Sequence, residues 1–329
     1  MAVLADIPAI GPISDDSGFV LMDSCSDGSF RVGRDGVVSI FATGDRKVEF
    51  IAFADRTLAY VKSKMGYPAY YPVHPVASRS PIKAVLMDLD GTSVRSEDFW
   101  IRMIQLSIAS LSGNSRFELT DGDLPHVSGH SVSEHLQYCV EKYCPEKSVE
   151  EARLHYVEHM GRGMKAAMNG SESFMPTPGL KEFLLALKRM GVKIALVTSG
   201  LYDKAWVEIE LAFLAMELGD PREFYDAIIT GGYALRKGEV GTLGELESKP
   251  HPWLYAEACR VGLGLDLADR DQVVGIEDSG AGVCSIRLAG FRAIGLAGGN
   301  IIESGTKQLC SDYCETLEEV LAAVKRCGT

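Results

Sequence analysis

Two aspartates stand two residues apart in Asp88-Leu89-Asp90-Gly91-Thr92, directly after the apolar run Val85-Leu86-Met87. One carboxylate of such a pair can attack an electrophile while the other moves a proton. At ordinary residue usage this five-residue match arises by chance about three times per thousand chains of this length, so it is informative by itself. Three further groups follow. Thr198-Ser199-Gly200 offers two hydroxyls and an approachable backbone ahead of a helical pattern, whose free N–H groups favour an anion. Lys249-Pro250-His251-Pro252 holds a lysine at a stiff, proline-bounded turn. Glu277-Asp278-Ser279 ends the apolar run Val273-Val274-Gly275-Ile276 in adjacent carboxylates. Two carboxylate clusters, a hydroxyl and a lysine are what metal-assisted phosphoryl transfer requires. Hard oxygen ligands suit Mg2+, and the cation offsets repulsion between an aspartate nucleophile and an anionic phosphate.

Such groups must converge, and an open parallel sheet does this by gathering them outside the carboxyl ends of its strands. After Pro81 strand and helix patterns alternate, which predicts a parallel sheet covered by helices. The expected strands are Ile82 to Met87, Val192 to Val197, Tyr225 to Ile229, Gln272 to Ile276 and Phe291 to Leu296. Leu180, Phe183, Leu184, Leu187 and Met190 form one apolar helix face, ended by Gly191. About 100 residues separate the first two strands, far more than a crossover helix needs. Helical patterns at Phe99 to Leu111 and Val149 to Met168 predict a helical domain inserted there, over residues 96–173. Residues 81–95 and 174–329 form the core.

Residues 1–80 read as a separate β-containing extension and linker. Short β-like runs are expected around Phe30 to Val32, Val37 to Phe41 and Val48 to Phe53, with turns at Asp35-Gly36 and Gly44-Asp45. A helix is expected from about Asp55 to Met65, followed by a linker punctuated by Pro68, Pro72, Pro75 and Pro81.

The 329 residues carry 33 Lys plus Arg against 45 Asp plus Glu, a net charge of −12, so nucleic-acid binding is not expected. A metal ion held by carboxylates still permits an anionic substrate. The sequence has no run of 18 apolar residues and opens without a basic, apolar leader, which points to a cytoplasmic protein with no membrane partner. Eight cysteines without a C-x-x-C pair read as reduced, buried thiols rather than a disulfide framework, and Cys310 with Cys314 is more simply structural than a zinc site.

In these four motifs, taken in order, residues 82 to about 325 resemble the haloacid dehalogenase superfamily, in the phosphatase branch with a helical cap inserted after the first strand. The resemblance implies a Rossmann-like core that hydrolyses phosphate monoesters through a covalent intermediate. Asp88 would be the nucleophile and Asp90 the general acid and then base. Thr198, with Ser199 and Gly200, would bind the phosphoryl group, and Lys249 would neutralise its charge. Asp88, the Asp90 carbonyl and Asp278 would hold Mg2+, with Glu277 ligating directly or through water. Each role has a plainer competitor: turn residues for the aspartates, a helix cap for Thr198, a surface acid for Glu277, and Lys237 in the Gly-rich 231–248 segment as a rival to Lys249.

Departures from the family pattern narrow the activity. Arg95 stands where many relatives have an acid, Trp253 where an aspartate often follows the lysine motif, and Trp100 where sugar phosphomutases have a histidine. The second aspartate argues against carbon–halogen cleavage, and no cap lysine is identified for phosphonate hydrolysis. In the cap, Ser128-Gly129-His130-Ser131-Val132 resembles the loop that faces the active site, so Gly129 and His130 are the expected leaving-group contacts. His155 and His159 lack a third ligand and read as a solvated helix face. The expected activity is Mg2+-dependent phosphatase action on a small phosphorylated metabolite. A phosphomutase or a non-catalytic phosphometabolite sensor is the alternative, and the oligomeric state is open.

Overall fold

The computed structural model describes residues 3–62, 68–127, 132–170, 174–231 and 247–326. The chain opens with a hairpin of β1 (Val3–Ile7) and β2 (Gly11–Ser14). An antiparallel sheet of five strands follows: β3 (Val20–Met22), β4 (Val37–Ala42), β5 (Val48–Phe53), β6 (Thr57–Lys62) and β7 (Pro68–Pro72), paired in that order. The core strand β8 (Ala84–Asp88) leads into the short β9 (Val94–Arg95) and the cap helices α1 (Glu97–Ser112), α2 (Leu124–Val127), α3 (Val132–Tyr143) and α4 (Val149–Met168). The chain returns through β10 (Met175–Pro176), α5 (Leu180–Arg189), β11 (Lys193–Val197), α6 (Tyr202–Met216), α7 (Pro221–Phe224) and β12 (Ala227–Ile229). It ends with α8 (Trp253–Glu257), β13 (Val273–Glu277), α9 (Gly280–Leu288), β14 (Arg292–Leu296), β15 (Asp312–Cys314) and α10 (Leu317–Arg326).

The core sheet has six parallel strands in the order β12-β11-β8-β13-β14-β15. All of β8 is buried, as a central strand covered on both faces must be. Its alternate residues divide between two cores. Val85 and Met87 join the apolar faces of α5, α6, α10 and the cap root, while Ala84 and Leu86 join α8 and α9.

The cap is entered through β9 and left through β10, which pair antiparallel at Arg95–Met175 and Val94–Pro176. Both chain crossings therefore run through one short ribbon. The capping box of Ser148 with Glu151 starts α4 and satisfies two otherwise orphaned N–H groups.

The amino-terminal third departs from expectation in three places. Residues 57–62 form β6 rather than a helix, because β-branched and aromatic Thr57, Tyr60 and Val61 pair with β5 and are buried against it. Pro68 and Pro72 lie in β7 rather than a linker, and as an edge strand β7 tolerates prolines whose missing N–H would have faced outward. Phe30 to Val32 is turn structure with a single bridge from Arg31 to Ser24. The extension does not hang from the core. Val48, Phe50, Ala59, Val61 and Val73 share one buried cluster with Ala84 and Leu86 of β8 and with Leu254, Tyr255 and Ile286 of α8 and α9. Each fully buried side chain of this size is worth about 1.5–3 kcal/mol, so the sheet is part of the core's own cover. Short β15 was also not expected, its three residues being too few for a periodic signal.

Candidate active site

Asp88 is the last residue of β8, and the turn after it is tight. Gly91 N–H donates to the Val94 carbonyl at 2.8 Å, and Val94 N–H to that of Leu89 at 2.9 Å. Gly91 has φ +79°, and a Cβ there would lie 2.1 Å from Asp278 Oδ2. Only glycine lets the β8 turn and the β13 end approach this closely. Fully buried Leu89 points into the core between the two aspartates, an alternation that separates their roles.

Lys249 is 7% exposed and sits between three acceptors: Asp88 Oδ1, Glu277 Oε1 at 2.5 Å and the Val197 carbonyl at 3.2 Å. Its own N–H donates to Ser199 Oγ at 3.2 Å, so the turns after β11 and before α8 hold each other. Glu277 is fully buried and accepts from Lys249, from Tyr255 Oη at 2.8 Å, and from the Ser279 N–H and hydroxyl at 3.2 and 3.0 Å. Asp278 accepts from Thr92 Oγ1 at 3.2 Å. Thr198 is buried, and its Oγ1 accepts from Gly200 N–H at 2.9 Å, which leaves the hydroxyl hydrogen available to donate.

Asp88, Glu277 and Asp278 each offer an oxygen within 4.8 Å of the others, the one such grouping of potential metal ligands among the described residues. Three carboxyl groups there share one ammonium. Burial, and then the charge of Glu277, push the Asp88 carboxyl up to about 8 despite Lys249, and burial with Asp88 raises Asp278 well above the carboxylate range. Burial alone would lower Lys249, but Asp88 and Glu277 outweigh it and hold the ammonium charged. A donor set of hard oxygens with surplus negative charge fits a divalent cation, which would lower the energy of the ionised acids.

Asp90 faces the cap. Its Oδ1 accepts from Ser96 Oγ at 2.6 Å and from Lys204 Nζ at 2.9 Å, and its Oδ2 from Lys204 at 3.0 Å. Burial opposes ionisation of Asp90, but Lys204 and Ser96 overcome it and hold the carboxyl down at about 2. Lys204 lies on α6, six residues after Thr198, with Glu208 one turn further on at 3.4 Å. Sequence reading missed Lys204, Glu208, Ser96, Thr92 and Tyr255. The i, i+4 pairing of Lys204 with Glu208 was the available signal, but on a surface helix it has no functional meaning.

The structure thus brings together Asp88, Asp90, Thr198, Lys249, Glu277 and Asp278, with Ser199 and Gly200 in the turn beside them. Gly129, His130 and residues 232–246, Lys237 among them, lie outside the described residues. His159 hydrogen-bonds Ser110 Oγ at 2.8 Å. No disulfide occurs among the described cysteines, of which all but half-buried Cys310 are buried. No helix among the described residues is long and apolar enough to cross a membrane.

These features define a capped α/β protein with its acidic groups at the carboxyl ends of a parallel sheet. Residues 82–290 match the family described as haloacid dehalogenase-like hydrolase, and the chain belongs to that family. Its fold is similar to that of a Thermotoga maritima protein assigned as a beta-phosphoglucomutase (21% identity, 74% of this chain and 99% of the other, TM-score 0.54). It is likewise similar to a HAD family hydrolase from Deinococcus radiodurans R1 holding phosphate and sodium (20%, 76% and 98%, 0.55). A Haemophilus somnus 129pt protein assigned as a phosphoglycolate phosphatase gives comparable values (20%, 74% and 97%, 0.52). No curated protein matches the chain in sequence.

Proposed function

We propose that this protein is a Mg2+-dependent phosphatase that hydrolyses a small phosphorylated metabolite through an aspartyl-phosphate on Asp88. The observation that carries the reading is Lys249 between Asp88 and Glu277, with Asp278 adjacent and Asp90 two residues on. An Asp88 carboxylate oxygen attacks phosphorus as the bond to the leaving oxygen breaks, and Asp90, ionised beside Lys204 before substrate binds, takes up a proton as the anionic substrate arrives and passes it to that leaving oxygen. Water then attacks the phospho-aspartate, giving its proton to Asp90, and phosphate and Asp88 are released. Lys249 offsets the charge on Asp88 and the transferring group, while the Thr198 hydroxyl donates to a phosphoryl oxygen.

Mg2+ would be held by Asp88, Asp278 and the Asp90 carbonyl, and would supply positive charge to the phosphoryl oxygens. Glu277, whose oxygens already accept from Lys249, Tyr255 and Ser279, is better suited to reach the ion through water. The cap, hinged at β9 and β10, would exclude bulk water during transfer. We place the enzyme in the cytoplasm and assign the leaving group's recognition to the cap loop with Gly129 and His130.

The test is phosphate release from a panel of sugar phosphates, nucleotides, phosphoglycolate and glycerol phosphates, with and without Mg2+, beside Asp88→Asn. Release that needs both the ion and Asp88 supports the reading. Isomerised product without free phosphate would replace it with a phosphomutase, and binding without turnover with a sensor.

A further inference from the structure

The acid–base aspartate of the proposed reaction is clamped from two sides. From the core, Lys204 straddles both Asp90 oxygens at 2.9 and 3.0 Å. From the cap root, Ser96, which precedes α1, donates to Oδ1 at 2.6 Å. Lys204 is itself held. Fully buried Glu208 lies 3.4 Å behind it, and the Trp100 ring of α1 sits over its ammonium at 4.4 Å. Among the described residues neither Glu208 oxygen accepts a hydrogen bond. Its 3.4 Å approach to Lys204 places the Glu208 carboxyl directly behind the lysine, while burial and then the charge of Asp90 raise that carboxyl well above its ordinary value. An ammonium over an indole face is attracted by the ring's negative π-face, which biases where the lysine rests.

A lysine chain has four rotatable bonds, and an aspartate beyond a strand end has two. Unrestrained, each would sample several rotamers, and a proton donor displaced by about 1 Å loses much of its effect. The Glu208 and Trp100 contacts remove that freedom from Lys204, and Lys204 with Ser96 removes it from Asp90. Ser96 and Trp100 both belong to the start of the cap, just past the β9–β10 ribbon. Cap placement and Asp90 orientation are thereby joined through two contacts.

We propose that Lys204 is the positioning residue of Asp90, held in place by Glu208 from the core and by Trp100 from the cap, so that the acid–base carboxylate is aligned when the cap is seated as it is here. This inference rests on the phosphatase reading above. Lys204 need not touch the phosphoryl group, and its loss would be felt where proton delivery to the leaving oxygen limits the rate.

That distinction supplies the experiment. With Mg2+ present, kcat/KM is measured for a primary alkyl phosphate and for p-nitrophenyl phosphate, whose phenolate departs with little need of a proton. For this two-step reaction kcat/KM reports events only up to formation of the phospho-enzyme, so the second step does not blur the comparison. Lys204→Met should lower kcat/KM for the alkyl ester by about 100-fold, within the usual reach of general acid catalysis, and for the nitrophenyl ester by less than about fivefold. Lys204→Arg should recover most of the alkyl activity. Ser96→Ala, which removes the other partner without exposing the buried pair, should show the same selective loss to a smaller degree, and serves if Lys204→Met does not fold. Asp90→Asn gives the reference pattern. Equal losses on both esters, no loss on either, or a raised KM at unchanged kcat would overturn the proposal, the last by making Lys204 a leaving-group contact. Wild-type protein that is folded yet releases phosphate from neither ester would overturn the phosphatase reading itself, and this inference with it.

Discussion

Tyr71 Oη lies 2.8 Å from His251 Nδ1, so the edge strand of the amino-terminal sheet touches the turn that carries Lys249. The rings meet edge to face at 5.8 Å, and the His251 carbonyl accepts from Ser285 Oγ of α9 at 2.5 Å. His251 is thus fixed on one side by the core and on the other by the extension. The amino-terminal extension therefore buttresses the turn that carries Lys249.

Removing that contact should be felt at the lysine. Tyr71→Phe is expected to cost about 1 kcal/mol of stability and to lower kcat about 3- to 10-fold through displacement of Lys249. Chemical denaturation and steady-state kinetics on a phosphate ester check the two effects. A variant lacking residues 1–75 should not fold cooperatively, because Val48, Phe50, Ala59 and Val61 would leave Ala84 and Leu86 uncovered. A sharp unfolding transition in the truncated chain would contradict this.

Metal binding is separable from turnover. The three buried carboxylates repel one another, so Mg2+ should raise the melting temperature, corresponding to about 2.7 kcal/mol at 100-fold excess over its dissociation constant. Asp278→Asn should remove that shift while raising the stability of the metal-free protein, since it deletes a buried carboxyl whose ionisation burial and Asp88 oppose. Differential scanning calorimetry with and without the ion reads both.

Gly91→Ala tests the close approach of the two strand ends. The methyl group would meet Asp278 at a backbone φ of +79°. Expected are a stability loss of about 1–3 kcal/mol and Mg2+ binding weakened about 10- to 100-fold. Calorimetric titration of the ion measures the second.

The cap carries its own pH dependence. Buried Asp123 accepts from Tyr138 at 2.8 Å, Lys142 and Tyr143 at 2.6 Å, and Thr120 N–H and hydroxyl at 2.7 Å. Burial alone would raise its carboxyl, but these donors hold it well below the usual carboxylate value of 3.8. The unfolded chain therefore binds a proton that the folded one refuses. Stability from Asp123 is complete above the unfolded value and is lost as pH falls through the folded one. Asp123→Asn should cost about 3 kcal/mol at neutral pH and less as pH drops below 4, measured by denaturation across that range.

The sequence by itself was enough to locate the acidic groups of the candidate site, for a reason visible in β8 and β13. Both are apolar runs with abrupt acidic ends, and a central parallel strand buried on both faces leaves its termini as the place for charge. Asp88, Asp90, Glu277 and Asp278 were legible because local pattern and position in the sheet coincide. The α4 boundaries were legible too, since Ser148 and Glu151 form a local cap.

Tertiary structure alone decided the rest. Residues 57–62 became a strand because β5 was there to pair with, and Pro68 to Pro72 became its edge, neither of which a window of neighbouring residues can register. The engagement of Glu277 with Lys249 and Tyr255, the seat of Tyr71 beside His251, and the hold of Lys204 on Asp90 join residues separated by 28, 22, 180 and 114 positions. Contacts of that range leave no periodic trace, because each depends on where folding brings two surfaces together rather than on what lies next along the chain.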